Sequence, residues 1–468
     1  MKFVKTCCLL LLPVVLLAQN KTSVYDAYMK GQQALYRFNG NVLVAKKGEI
    51  IYKKSFGYND YNTKKKLDEN TLFDIGSIAK EFTSVAILLL KDKGLLNYDD
   101  TLRKFFPELP YHGITIKQLL THTSGVPDGY GVIEEKFDHS NIATNNDLLR
   151  LLAEERPVAY FNPRQDLMYS GTGFNLLASI IEKVSVQSYS DFLNQHIFKP
   201  LGMTHTSVAN FPRKNKNPLG LSKGFMYSDS TKTYQYADSF YHNWATYFSG
   251  VTGEGMIIST TVDLLKWDRA LKECNILSPT TQAEMTTLQA MKKSFPPVKF
   301  GFGIRVGSNT IGNYVFHNGW YPGFSSMLIR YTDQDVTIIV LSNNLSHSEF
   351  IADGLATIAE NKKILLPYIH NEYRSNSDLN KYAGKYLLPL TRPPYMVDFP
   401  VELFIKNDNL YLHSTGSADV LLMPESAEKF FYNDGTDQQI EFKKDLVDNV
   451  IHVFYTGYGV QKEIKKIN

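Results

Sequence analysis

Phe73-Asp74-Ile75-Gly76-Ser77-Ile78-Ala79-Lys80-Glu81-Phe82 is the stretch on which the reading of this chain turns. Gly76-Ser77 leads into an apolar period, Ile78, Phe82, Val85, Ala86, Leu89 and Leu90, which closes at Lys91-Asp92-Lys93-Gly94. That spacing predicts a helix with Ser77 in its first turn and Gly94 as its stop. A hydroxyl placed there lies near unpaired backbone N–H groups and the positive end of the helix dipole. Lys80, one turn later, falls on the same face. Partial desolvation on that face is expected to lower its pKa enough for it to accept the Ser77 proton. Alone, Ser-x-x-Lys is a weak signal, because four-residue patterns recur by chance and a capping serine beside a solvated lysine explains it.

Outward from this helix, the pattern stays mainly helical from Ser77 to about Leu271. Strand signals flank it: Asn41–Ala45 and Ile50–Phe56 before it, joined across Gly48, and Phe300–Val306, Tyr314–Asn318, Phe324–Tyr331 and Val336–Ser342 after it. Helices are expected over Val24–Phe38 and Ser348–Lys362. One antiparallel sheet built from both chain ends, covered by helices, buries these strands most simply, giving an α+β fold with a helical insert. Beyond about Ser375 the texture changes to short strands with polar turns, Tyr382–Leu387, Val401–Ile405, Leu410–His413, Phe430–Tyr432, Ile440–Phe442 and Val450–Tyr455. This predicts a small all-β C-terminal domain, with Asn371–Asn380 as linker.

Composition bounds the chemistry. The 468 residues are 43% hydrophobic and 21% charged, which excludes wholesale disorder, and 50 Lys+Arg against 47 Asp+Glu excludes a strongly basic nucleic-acid binder. Three cysteines make no disulfide scaffold. Residues 1–18 have secretory signal layout: Lys2 and Lys5, an apolar run from Cys7 to Leu17, and Ala18 at the expected cut. The run is too short to span a bilayer, and no other stretch is long and apolar enough, so an exported chain without an integral membrane segment is expected. Its removal leaves Cys274 as the only cysteine. No His-Glu-x-x-His, cysteine pair or Gly-x-Ser-x-Gly is present, so neither a metal, a cofactor nor an α/β-hydrolase nucleophile is expected.

Two further segments bear on Ser77. Tyr169-Ser170-Gly171 precedes a predicted helix, Asn175–Val184, and a tyrosine beside a lysine cation can relay a proton as phenolate. His317-Asn318-Gly319-Trp320 ends a strand, where glycine lets a substrate backbone approach closely. Each has a purely structural explanation when isolated, as does His122, which is read as structural.

In this order the segments resemble the serine β-lactamase and penicillin-recognising hydrolase family, most closely its class C-like branch of esterases, D-aminopeptidases and D-Ala-D-Ala carboxypeptidases. The phrases that carry the resemblance are residues 73–80, Ile116-Lys117-Gln118-Leu119-Leu120-Thr121-His122-Thr123-Ser124-Gly125-Val126, Ile197-Phe198-Lys199-Pro200-Leu201-Gly202-Met203, and Gly255-Met256-Ile257-Ile258-Ser259-Thr260-Thr261-Val262-Asp263-Leu264. The resemblance implies a hydrolase domain over 24–365 and, more weakly, a lipocalin-like β domain over 378–468. It implies Ser77 as an acyl-forming nucleophile and Lys80 with Tyr169 as proton-transfer pair. The N–H groups of Ser77 and Trp320 become the oxyanion hole, and His317 with Gly319 lies on the substrate side. His317 stands where β-lactamases keep the Lys of Lys-Thr-Gly, Asn318 replaces the Thr, and Gly171 replaces an expected Asn. These departures favour small esters or peptides with an N-terminal D-residue over β-lactams. The alternative is a non-catalytic penicillin-binding-protein-like module that recognises peptidoglycan or acyl-peptide ligands.

Overall fold

The computed structural model describes residues 12–209, 220–228, 230–241, 244–293, 297–373, 378–390, 397–433, 436–445, 450–457 and 459–467. Its contacts divide the chain into two units, Asn39–Glu349 and Met1–Phe38 with Phe350–Asn468.

The first unit is built on an eight-stranded antiparallel sheet. Its strands are β1 (Gly40–Lys46), β2 (Glu49–Phe56), β3 (Ala290–Lys292), β4 (Val298–Phe300), β5 (Arg305–Ser308), β6 (Asn313–Tyr321), β7 (Phe324–Tyr331) and β8 (Val336–Ser342). Their spatial order is β3-β4-β5-β6-β7-β8-β1-β2, with β1 paired to β8 from Gly40↔Ser342 to Lys46↔Val336, so the two flanks of the helical insert meet at the centre. Val42-Leu43-Val44-Ala45 and all of β8 are buried, the continuous apolar run of strands covered on both faces. The expected Phe300–Val306 strand is instead two strands, because the chain turns at Gly301-Phe302-Gly303 between β4 and β5. The helical insert also contains small strands, among them Phe73–Asp74, Ser207–Val208 and Ile257–Ser259, which form a sheet of their own.

The decisive helix is α2 (Ala79–Asp92), entered through a 3-10 turn at Gly76–Ile78. It is buried on nearly all sides in the main core, where Phe82 stacks on Trp267 at 4.1 Å. Glu81 is buried there too, accepting a 2.8 Å hydrogen bond from Trp267 Nε1, while its other carboxylate oxygen has no partner among the described residues. Burial, helped by nearby Asp268, outweighs Trp267 and Arg330 and pushes the Glu81 carboxyl up to about 8. A carboxyl whose folded pKa lies above its unfolded value stabilises the fold fully below the unfolded value and loses that contribution as pH rises through the folded one. The Glu81 contribution therefore declines between pH 5 and 8 by on the order of 3 kcal/mol. Glu81→Gln, which needs no proton to stay neutral, is expected to flatten the fall in Tm over that range in thermal melts. An unchanged slope would place the titration elsewhere.

The second unit contains α1 (Leu12–Tyr36) and a closed eight-stranded antiparallel barrel. The expected signal segment falls on residues 1–11, outside the described residues, and on the first turns of α1. Among the described residues no helix is long and apolar enough to cross a membrane. Six of the barrel strands follow the expected ones; Val420–Pro424 and Val460–Ile467 are additional, and the second closes the barrel against Gly384–Leu390. The interior is filled by Tyr382, Tyr386, Leu403, Phe430, Ile440 and Phe442 among others. Of the expected linker, residues 374–377 lie outside the described residues, and Tyr373 N donates to Pro424 O at 2.7 Å.

Candidate active site

The 3-10 turn places Ser77 at the mouth of α2, and Lys80, fully buried on the same face, donates to Ser77 Oγ at 3.0 Å. Its other two donors go to the Glu254 carbonyl at 2.9 Å and Glu254 Oε2 at 2.6 Å. An ammonium has three N–H groups, so all are engaged and no lone pair faces Ser77. Burial alone would lower the Lys80 pKa, but Glu254 first, then Tyr169, outweigh it and hold it above the ordinary lysine range. This corrects the expectation of a depressed lysine: desolvation is present, and an ion pair wins over it. Reciprocally, burial would raise the Glu254 carboxyl, and Lys80 with Tyr130 holds it below its usual range. Tyr130 OH donates to Glu254 Oε1 at 2.7 Å.

Tyr169 lies half-exposed over this cation, its ring centre 4.8 Å from Lys80 Nζ. The following helix, α3, runs Gly171–Ser185, four residues earlier than expected, because Ser170 caps it by accepting from Gly173 N. His122 fixes Tyr169 from below. Its carbonyl accepts from Met168 N at 3.0 Å, its Nδ1 from Ser170 N at 3.1 Å, and its ring lies 4.5 Å from the Tyr169 ring. Burial, with Lys80 and other cations nearby, drives the His122 pKa well down, so the ring is neutral.

Strand β6 supplies the other wall. A Cβ on Gly319 would run into the Ile75 carbonyl oxygen, and one on Gly76 would meet Trp320 N at 2.6 Å. Only two glycines allow β6 to approach the Ser77 turn this closely, which brings the Trp320 N–H to the turn. Ser326 Oγ, on β7, donates to Ile75 O at 2.7 Å and pins the approach. His317 is buried, with Nδ1 2.6 Å from Asn318 O. Burial, then Lys80 and Arg305, press its pKa well below the ordinary value, so it offers no permanent cation. The Asn318 side chain turns to the other face of β6 and donates to Glu349 Oε1 at 2.7 Å; it does not join the site. The Trp320 side chain is half-exposed at the rim.

Ser77, Lys80, Tyr169, His317, Gly319 and Trp320 thus converge from three segments. Glu254, Tyr130 and the positioning part played by His122 were not visible in the sequence. The one available signal was indirect: a glycine at 171, where an asparagine is expected, leaves a lysine in want of a partner. Among the described residues no cluster of side chains is suited to holding a metal ion.

Comparison with known proteins bears on the family and the fold. The family described as Beta-lactamase matches residues 26–360. Penicillin-binding protein 4* of Bacillus subtilis (strain 168) is 34% identical over 423 residues, 88% of this chain and 92% of that protein. The octameric penicillin-binding protein homologue of Pyrococcus abyssi superposes with a TM-score of 0.64 at 23% identity, covering 95% of this chain and 99% of that one. The D-amino acid amidase of Ochrobactrum anthropi SV3 does so with a TM-score of 0.59 at 23% identity, over 72% and 98%.

Proposed function

Starting from a chain that belongs to the beta-lactamase family, we propose that it is an exported serine hydrolase working through an acyl-enzyme on short-chain esters or on amides and peptides of D-residues. The observation that carries this is the Ser77–Lys80–Tyr169 cluster: hydroxyl at a helix mouth, ammonium 3.0 Å away, phenol ring over the ammonium. A module that only binds needs no activated hydroxyl, so this cluster favours turnover.

Lys80, as a cation, stabilises Tyr169 phenolate. The phenolate takes the Ser77 proton as Oγ attacks the substrate carbonyl, and the developing oxyanion lies between the N–H groups of Ser77 and Trp320. Collapse returns the proton from Tyr169 to the leaving oxygen or nitrogen. Water then enters and gives a proton to Tyr169 as it attacks the acyl carbonyl, and Tyr169 passes that proton to Ser77 Oγ as the ester bond breaks, restoring the free serine. Gly319 allows the close approach, and His317 lines the acyl side. The hydrolase domain is assigned to 24–365 and the β domain to 378–468, with 1–18 as export signal.

Substrate choice follows from what the site omits. Neutral His317, an Asn318 turned away and a side-chain-free Gly171 offer little to a β-lactam's carboxylate and amide. One such hydrogen bond is worth about 0.5–1.5 kcal/mol, more to a charged partner. The kcat/KM for p-nitrophenyl acetate or butyrate is expected to exceed that for nitrocefin on the same preparation. Nitrocefin ahead by about tenfold, roughly 1.4 kcal/mol in transition-state binding, would overturn the substrate reading.

A further inference from the structure

Gly171 opens α3 beside the Lys80–Glu254 ion pair, where a side chain would pack against Glu254 and press on Tyr130. A Cβ there would lie 3.5 Å from both Cγ and Cδ of Glu254 and 3.2 Å from Cε2 of Tyr130. Glu254 reaches this space from a different segment, between Gly253 and Gly255, and its carboxylate is fully committed: Oε2 to Lys80, Oε1 to Tyr130. Tyr130 is held in turn by Phe248, 4.8 Å away ring to ring. The bare position at 171 and the partly buried carboxylate therefore adjoin at one site.

We infer that Glu254 is a positioning residue for the reaction: it holds the Lys80 ammonium on Ser77 from beside the position that Gly171 leaves without a side chain. The inference rests on the serine-hydrolase reading above. It adds a residue that the Ser-x-x-Lys and Tyr-Ser-Gly motifs do not contain, and it makes Gly171 and Glu254 a dependent pair. An amide at 171 could donate N–H groups to a substrate; an ionised carboxylate only accepts and cannot. The exchange therefore secures the lysine and gives up a donor for acyl-amides.

The groups facing the pair set the direction of its pH effect. Tyr169 comes from the loop before α3, Tyr130 from the helix Gly129–Lys136, His122 from the loop after the helix Ile116–Leu120, Arg305 from β5 and His317 from β6. Both histidines are neutral by burial, so Glu254 is the anion that counts for Lys80. Removing its charge makes a neutral Lys80 easier to form, because the ion pair that favours the ammonium is lost.

The test is the pH dependence of p-nitrophenyl butyrate hydrolysis, with fluorophosphonate labelling of every variant in parallel. In Glu254→Gln, which keeps the shape, the ascending limb of kcat/KM is expected to move to lower pH by about one unit or more, the usual size for loss of a contacting opposite charge. Gly171→Asn, which crowds Tyr130 and Glu254 from the α3 side, should move it the same way and decides the matter if Glu254→Gln does not fold. Gly171→Asn/Glu254→Ala, which puts an amide oxygen within reach of Lys80, is expected to be at least about tenfold more active than Glu254→Ala. An unmoved limb in active variants, or a double variant no better than the single, overturns the inference. A wild-type protein that takes no label overturns the hydrolase reading instead, so the two failures are distinct.

Discussion

Ser77→Ala is expected to abolish turnover of every ester and amide that the wild type cleaves, by about 10³-fold or more in kcat, while leaving the fold intact. The size follows from the chemistry: without Oγ there is no acyl-enzyme, and the only remaining path is direct attack by water held by the oxyanion donors. The fold should be indifferent because Ser77 is only partly buried and caps no helix through its side chain. Far-UV circular dichroism and thermal melts check the second half, and steady-state kinetics the first. A variant that melts like the wild type and still turns over its substrates would remove the nucleophile from the account.

Tyr169→Phe carries the second large effect. The ring would remain on His122 and over Lys80, so packing is conserved and only the hydroxyl is lost. With all three Lys80 N–H groups donated and its pKa raised, the lysine is a poor substitute base at neutral pH. The expected loss is roughly 10²–10⁴-fold in kcat, the range for a missing proton-transfer group. In the wild type the rate should climb from neutral to alkaline pH, and this climb should disappear in Tyr169→Phe. The two profiles report a coupled titration and not one residue's pKa. A flat wild-type profile with an active Tyr169→Phe would move the base elsewhere.

The fold was legible wherever local pattern and burial agree. The largely apolar stretches Asn41–Ala45 and Val336–Ser342 announced strands, and the period from Ile78 to Leu90 announced the helix that carries Ser77. The strand Val460–Ile467 was missed because its sequence, Val-Gln-Lys-Glu-Ile-Lys-Lys-Ile, is mostly charged and polar; in the barrel core it contributes Ile464, and closure of the barrel supplies the rest. Val420–Pro424 was too short to stand out before its proline. In the site, the three motif segments could be named from their residue types and order. The protonation of Lys80 could not, since its sign depends on a carboxylate 174 residues away brought in by tertiary folding. Burial and ion pairing push a lysine in opposite directions, and sequence displays the first far better than the second.

The central claim, an activated serine at position 77, is tested most directly by covalent capture. Incubation of the full chain with a fluorophosphonate, followed by intact-mass and peptide mass spectrometry, is predicted to give one phosphonyl adduct per chain, located on Ser77. The adduct should be absent from Ser77→Ala and should form more slowly in Tyr169→Phe. A wild-type chain that remains unmodified under conditions that label a known serine hydrolase, or an adduct on any other residue, would contradict the account.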